Sequence, residues 1–264
     1  MKTAVISGAS GDIGLETAQL LKNEYQVYDL SRSGKDAQGI IHIDTDVTDE
    51  GSVKAAFAKI TEQAGKIDLL ICNAGFGIAG AAEFTPLDDA RRQLDVNFFG
   101  TVLCTKYALP LLRKSQGRIV SVSSAAAVFP IPFQSFYSVS KAAVNAYICA
   151  LRNEVRALGV TVTAVMPGDT KTGFTAMRKK EFRGEDIYGG RIAPSIAVME
   201  KDEEKGMSPA SVARTIVHIA KKRHVRPLYT AGISYKLLYL LNRVLGISIV
   251  NRLIGILYIK KPKL

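Results

Sequence analysis

Tryptophan is absent from this 264-residue chain, and cysteine and histidine occur only three times each. Cys72, Cys104 and Cys149 lie far apart and form no Cys-x-x-Cys pair. A disulfide framework and a thiolate metal site are therefore not expected, and reduced, buried thiols in a cytoplasmic protein are the simplest reading. His42, His218 and His224 have no catalytic or metal-binding partner nearby in sequence, and no metal site is predicted. The opening MKTAVISGAS lacks the long apolar core and small-residue cleavage site of a secretory signal. Acid is also missing in one place. Residues 206–264 hold eleven Lys/Arg and no Asp or Glu, whereas residues 1–205 hold 24 of each sign. The net charge of +11 thus belongs wholly to the last 59 residues.

What is present is a chain 47% hydrophobic and 22% charged, with 22 glycines, enough for one well-buried α/β domain. Short apolar runs at 3–6, 25–30, 40–43, 67–72, 118–122 and 160–165 read as strands. Helical spacing fills the gaps at about 14–23, 52–64, 88–112 and 137–157. Continuous apolar strands alternating with helices predict a parallel, doubly wound sheet covered on both faces. Residues 173–205 break the rhythm with charged, glycine-spaced segments after the Pro167-Gly168 stop. At the carboxyl edge of such a sheet this insertion is a substrate lid or a variable surface loop.

Between the first strand and first helix lies SGASGDIG, Ser7 to Gly14. Glycines at 8, 11 and 14 permit a tight turn, with a helix amino end aimed at a pyrophosphate. Gly8, Ser10, Gly11, Ile13 and Gly14 are the expected cofactor contacts of this turn. Asp12 is out of place beside a phosphate. It is expected to point away as an early-helix acid, so that Asp12→Gly leaves affinity unchanged or tighter. The second strand ends in Ser31 and Arg32, while Asp29 sits inside the strand. A base there accommodates a 2′-phosphate, so NADP is expected over NAD unless Arg32 is only a solvated surface charge.

Three further pieces follow: Asn73-Ala74-Gly75 after the fourth strand, Ser123-Ser124 after RIVSV, and Tyr137-Ser-Val-Ser-Lys141. Ser124 lies thirteen positions before Tyr137 (137 − 124). Over about residues 1–230 the chain resembles the short-chain dehydrogenase/reductase family. The resemblance implies a Rossmann-type doubly wound sheet in a single domain, with residues 231–264 as an apolar, basic extension. Tyr137 and Lys141, four apart on a helix, share one face. A nearby cation favours the phenolate, so Lys141 is expected to lower the pKa of Tyr137 for acid/base work. From the family's motif Ser124 would orient the substrate oxygen, and Asn97 would support a proton relay. Asp46-Val47 would contact adenine, and Asn73, Ala74 and Gly75 would line the cofactor together with Tyr137 and Lys141. Pro167, Gly168, Thr170 and Thr172 would form the nicotinamide side. Family members are commonly dimers or tetramers, and a homo-oligomer is expected. The family's turn carries glycine where Asp12 stands here.

The tail, residues 236–263, holds LNRVLGI and VNRLIGI at a nine-residue offset. Arg243 and Arg252 interrupt its apolar stretch and leave an uncharged run of eight residues, 244–251. A spanning helix is disfavoured. Two placements remain. One is a helix lying at a membrane surface with Lys260, Lys261 and Lys263 against anionic lipid. The other packs the tail on the chain's own substrate pocket or on a partner subunit. Nucleic-acid binding is not expected, because aliphatic residues dominate over basic ones. Either placement suits a lipophilic hydroxyl/carbonyl pair on a steroid, fatty or sphingoid-like compound. The expected activity is NADP-dependent oxidoreduction. A non-catalytic, cofactor-sensing scaffold and an epimerase or dehydratase on the same fold are the alternatives.

Overall fold

In the computed structural model, residues 1–259 are described. The amino-terminal half runs β1 (Lys2–Ser7), α1 (Asp12–Leu21), β2 (Tyr25–Ser31), β3 (Ile40–Asp44), α2 (Glu50–Ala64), β4 (Leu69–Cys72), β5 (Ile78–Ala79), α3 (Leu87–Leu94), a π-helical turn (Asp95–Phe99) and α4 (Gly100–Ser115). There follow β6 (Arg118–Val122), α5 (Ser135–Val155), β7 (Thr161–Pro167), α6 (Phe174–Met177), β8 (Lys179–Lys180), α7 (Ile192–Glu204), α8 (Pro209–Lys221), β9 (Leu228–Ala231) and α9 (Ile233–Tyr258). Lys260, Lys261 and Lys263, the cations expected to face lipid, lie outside the described residues.

Seven strands form one parallel sheet in the order β3-β2-β1-β4-β6-β7-β9. β1 and β4 are almost wholly buried because helices cover both faces, which is why they read as unbroken apolar runs. Phe57, Ile60, Leu112 and Ile148 fill the core under α2, α4 and α5. Leu21, Val212 and Ile216 fill the core under α1 and α8. The chain leaves β1 toward β3 and returns to β4 on β1's other side. This switch opens a crevice at the carboxyl ends of β1 and β4, where ligands bind in such sheets.

Two elements depart from the sequence reading. β9 joins β7 as a parallel edge strand; three half-buried residues and buried Ala231 after Pro227 carry too little alternation to announce it. The 173–205 insertion is more ordered than its charge and glycines suggest. β8 pairs with β5, Arg178 and Glu203 form a buried ion pair, and α7 runs thirteen residues. The tail is a helix bent by 117° between Ile233–Asn242 and Val244–Tyr258, with Gly246 at φ 72° inside it. Among the described residues no single helix is long and apolar enough to cross a membrane, although this bent pair together meets that test by length and composition.

Candidate active site

The glycine turn is held from three sides. Gly8 adopts φ 71°, and its amide donates to the Leu30 carbonyl at 2.8 Å. A Cβ there would lie 2.9 Å from the Ala74 Cα, and one on Gly14 would lie 2.3 Å from the Gly8 carbonyl oxygen. Only glycine lets turn, helix and the Asn73-Ala74 segment approach this closely. The Asn73 side chain donates to the Gly8 carbonyl at 2.9 Å, and the Ser7 hydroxyl accepts from the Asn73 and Ala74 amides at 3.1 and 3.3 Å. Asp29, inside the strand and so poorly placed for a ribose, serves the turn itself. Its Oδ1 accepts from the Ala9 amide at 3.0 Å, and its Oδ2 accepts from the Ser31 hydroxyl at 2.8 Å and faces His42 Nδ1 at 3.2 Å. Ser31, expected at the cofactor, is thus buried with its hydroxyl committed to Asp29. His42, which the sequence left without a partner, has one.

Asp12 opens α1 and points away from the turn. Its Oδ2 accepts from the Gly173 amide at 2.6 Å and ties α1 to the start of the 173–205 insertion. That contact spans 161 positions and leaves no local signature. The Asp46 carboxylate accepts from the Thr48 amide and hydroxyl at 2.9 and 2.8 Å. The Thr48 amide bond is the main reason it stays below the usual carboxylate range, with Arg32 and Arg92 adding to the effect. Arg92, absent from the sequence reading, and exposed Arg32 both stand near enough to act on the Asp46 carboxylate. Val47 is buried against Gly100, and Ser10 is exposed at the turn.

The second cluster converges on Gly75. A Cβ there would lie 3.1 Å from Asn97 Oδ1 and 3.5 Å from Lys141 Nζ. Asn97 occupies the π-helical turn between α3 and α4, and its amide closes on backbone and helix. Oδ1 accepts from the Phe76 amide at 2.9 Å, while Nδ2 donates to the Phe76 carbonyl and the Ser140 hydroxyl, both at 3.0 Å. Lys141 Nζ donates to the Val122 carbonyl at 2.9 Å and stands 5.9 Å from the Tyr137 ring centre. The Ser123 hydroxyl donates to the Lys141 carbonyl at 3.2 Å, which turns it toward α5. Ser124 accepts from the Ala126 amide at 3.1 Å and is the serine near enough to Tyr137 to favour its phenolate.

Burial dominates the proton affinities of the pair. Tyr137 is pushed up to about 12, chiefly by burial, with the Ser124 hydrogen bond opposing and the nearby Glu203 charge reinforcing. Lys141 is pushed down to about 8 by burial alone. The net shift at Tyr137 is therefore upward, because loss of water outweighs the groups that favour the phenolate.

These residues open onto a cavity of about 460 Å³. Ser124, Tyr137, Lys141, Asn73 and Gly75 form its polar floor, and Gly11, Asp12, Ile13, Pro167, Gly168, Thr170 and Thr172 its flank. Phe174, Met177 and the aliphatic face of α9 (Leu238, Leu241, Leu245, Leu253, Ile254) close the remainder. Gly8, Ser10, Gly14, Ser31, Arg32, Asp46, Val47, Ala74 and Asn97 do not line it. The Thr170 hydroxyl donates to the Gly168 carbonyl at 2.9 Å, and Thr172 Oγ1 accepts from the Phe174 amide at 3.3 Å. Two partners escaped the sequence reading. The Tyr235 ring covers Gly168 so closely that a Cβ there would lie 1.9 Å from it, and its hydroxyl donates to Asp169. Buried Arg178 stands 5.5 Å from the centre of the Phe174 ring, which lies 5.5 Å from that of Tyr137.

A dinucleotide fits this arrangement. The cradle admits no Cβ at Gly8 or Gly14, the amino end of α1 faces the cavity through Gly11 and Ile13, and Arg32 and Arg92 stand near Asp46, just after β3. The comparisons with known proteins agree with that geometry. The short chain dehydrogenase profile matches residues 2–183. A 3-ketodihydrosphingosine reductase of Bacteroides thetaiotaomicron is 38% identical over 225 residues, covering 83% of this chain and 84% of its own. The structure of a short-chain dehydrogenase from Streptomyces avermitilis superposes with a TM-score of 0.80 over 92% of this chain and 93% of its own at 24% identity, a likeness of fold. The structure of ElxO with NADP bound has a TM-score of 0.73 at 27% identity, over 90% of this chain and all of its own. With its parallel sheet, glycine cradle and Ser124–Tyr137–Lys141 floor, the chain belongs to the short chain dehydrogenase family of oxidoreductases.

Proposed function

We propose that this oxidoreductase uses NADPH to reduce a carbonyl on a lipophilic, chain-bearing substrate to a hydroxyl. The observation that carries the substrate class is the cavity itself: a small polar floor at Ser124 and Tyr137 beneath an aliphatic wall from α9. An apolar wall with few convergent polar groups selects an apolar body and orients one polar centre. The 38% identical relative named as a 3-ketodihydrosphingosine reductase supports a sphingoid-type ketone.

NADP over NAD rests on charge. Both oxygens of Asp29 are committed to Ala9, Ser31 and His42, so the acid within β2 is occupied and is not presented to ribose hydroxyls. Arg32 and Arg92 instead offer positive charge for a 2′-phosphate. The bound nicotinamide would supply hydride to the carbonyl carbon. The protein's part is the proton. Tyr137, held as the neutral phenol by burial, donates to the carbonyl oxygen, and Ser124 holds that oxygen in place. Lys141 answers the resulting negative charge on Tyr137. Asn97, closed on Phe76 and Ser140, acts by positioning the Gly75 segment and α5.

The test is a cofactor-consumption screen of NADPH against NADH with a 3-keto sphingoid base, a steroid ketone and a sugar carbonyl. NADPH consumption with a lipophilic ketone is expected, with a loss of about 10²–10⁴-fold in Tyr137→Phe. Arg32→Ala should reduce the NADPH preference. Turnover confined to sugars, or an unaltered Tyr137→Phe enzyme, would overturn the reading.

A further inference from the structure

The same tail that walls the cavity turns a second aliphatic face outward. Leu237, Leu240, Val244, Ile247 and Ile249 do not line the cavity and are exposed, Val244 and Ile247 by 79% and 81%. Isolated exposed aliphatics need no explanation, but five within thirteen residues form a patch of the kind that marks an interaction surface. The inner face is not free to follow a partner. Val250 and Ile254 are buried, and Tyr235 is tied to Asp169 across Gly168.

Charge and the position of the cavity identify the occupant. Residues 206–264 carry eleven Lys/Arg and no acid, and Lys236 and Arg252 on α9 are exposed. Exposed Lys236 and Arg252 among the outward aliphatics complement an anionic lipid surface, whose headgroups meet the cations while the aliphatics enter the acyl boundary. Leu241, Leu253 and Met177 both line the cavity and are exposed, so its mouth opens beside this same patch. The 117° bend and the buried inner face suit a helix pair lying on a membrane.

We propose that α9 docks the protein onto an anionic lipid surface through Leu237, Leu240, Val244, Ile247 and Ile249, placing the cavity mouth against the lipid from which an apolar substrate is drawn. The part concerning substrate rests on the proposed reductase function; the docking does not. Flotation of the full chain with vesicles therefore needs no turnover. Vesicles of zwitterionic lipid alone and with 30% anionic lipid are compared. Binding is expected on the anionic vesicles and is weaker by about fivefold for each of Lys236→Gln and Arg252→Gln. The double substitution Val244→Asp/Ile247→Asp, outside the cavity lining, should lower partition at least tenfold while NADPH oxidation with a water-soluble carbonyl continues. Equal flotation of parent and double variant overturns the proposal. So does a parent that ignores vesicles but loses oligomeric mass on the double substitution, because the patch then covers a second copy of the chain.

Discussion

Replacing Lys141 by Met should abolish catalysis and stabilise the protein. Burial lowers the Lys141 pKa from 10.5 to about 8, which corresponds to roughly 3 kcal/mol of unfavourable transfer of the ammonium at neutral pH. Methionine fills similar space without the charge but leaves the Val122 carbonyl without the 2.9 Å donor, a loss of about 1 kcal/mol. The net gain is about 2 kcal/mol, or roughly 4–8 °C in Tm for a chain of this size. The sign with pH follows from proton counting. Below about pH 8 folded and unfolded chains both hold the proton, and the full penalty applies. Between about 8 and 10.5 the folded chain has released it while the unfolded chain keeps it, so stability of the parent rises with pH. Thermal melts at pH 7 and pH 9.5 should show the variant melting higher at pH 7, with the gap narrowing at pH 9.5. A variant that melts below the parent at pH 7, or a gap indifferent to pH, would refute the claim that a desolvated ammonium is held here.

Three further substitutions probe contacts that join distant parts of the chain. Asp12→Ala removes the acceptor of the Gly173 amide and should weaken NADPH binding about 2–10-fold by fluorescence titration, with Asp12→Asn retaining most of the affinity. This reverses the expectation that Asp12→Gly is neutral or tightening. Gly168→Ala places a methyl against the Tyr235 ring and should cost about 1–3 kcal/mol in chemical denaturation; adding Tyr235→Ala should recover part of that loss, since the clash is then gone. Glu203→Gln leaves buried Arg178 without its counter-charge and should destabilise by about 3 kcal/mol, read as a lower denaturation midpoint.

The parallel sheet was legible because buried strands have a local signature: the apolar runs at 3–6, 25–30 and 118–122 sit inside β1, β2 and β6. Gly8 and Gly14 were legible for a similar reason, since close backbone approach leaves only glycine as a choice. What stayed hidden is pairing across sequence. Asp29 reads as an ordinary strand acid until Ala9, twenty positions earlier, is seen donating to it. The link between Tyr235 and Asp169 spans 66 positions. The proton affinity of Tyr137 was legible only in part, because spacing reports the neighbouring Lys141 but not the loss of water, which is the largest influence on it. The tail left two placements open since composition alone cannot say which aliphatic face meets protein; Leu238, Leu241 and Leu245 turn to the cavity while Val244 and Ile247 turn out.

The tail also bears on the chemistry of the floor. Burial is the largest cause of the shift at Tyr137 and the only one at Lys141, and α9 walls the cavity onto which both open. An aliphatic wall that admits an apolar chain is also a wall that keeps water from the phenol and the ammonium. On the proposed reduction the first effect would select the substrate, and the second raises the proton affinity of Tyr137 above that of an ordinary phenol. Low dielectric strengthens the attraction between Lys141 and the charge left on Tyr137 after that transfer. The stabilisation is therefore spent on the product of proton transfer and not on the resting phenol.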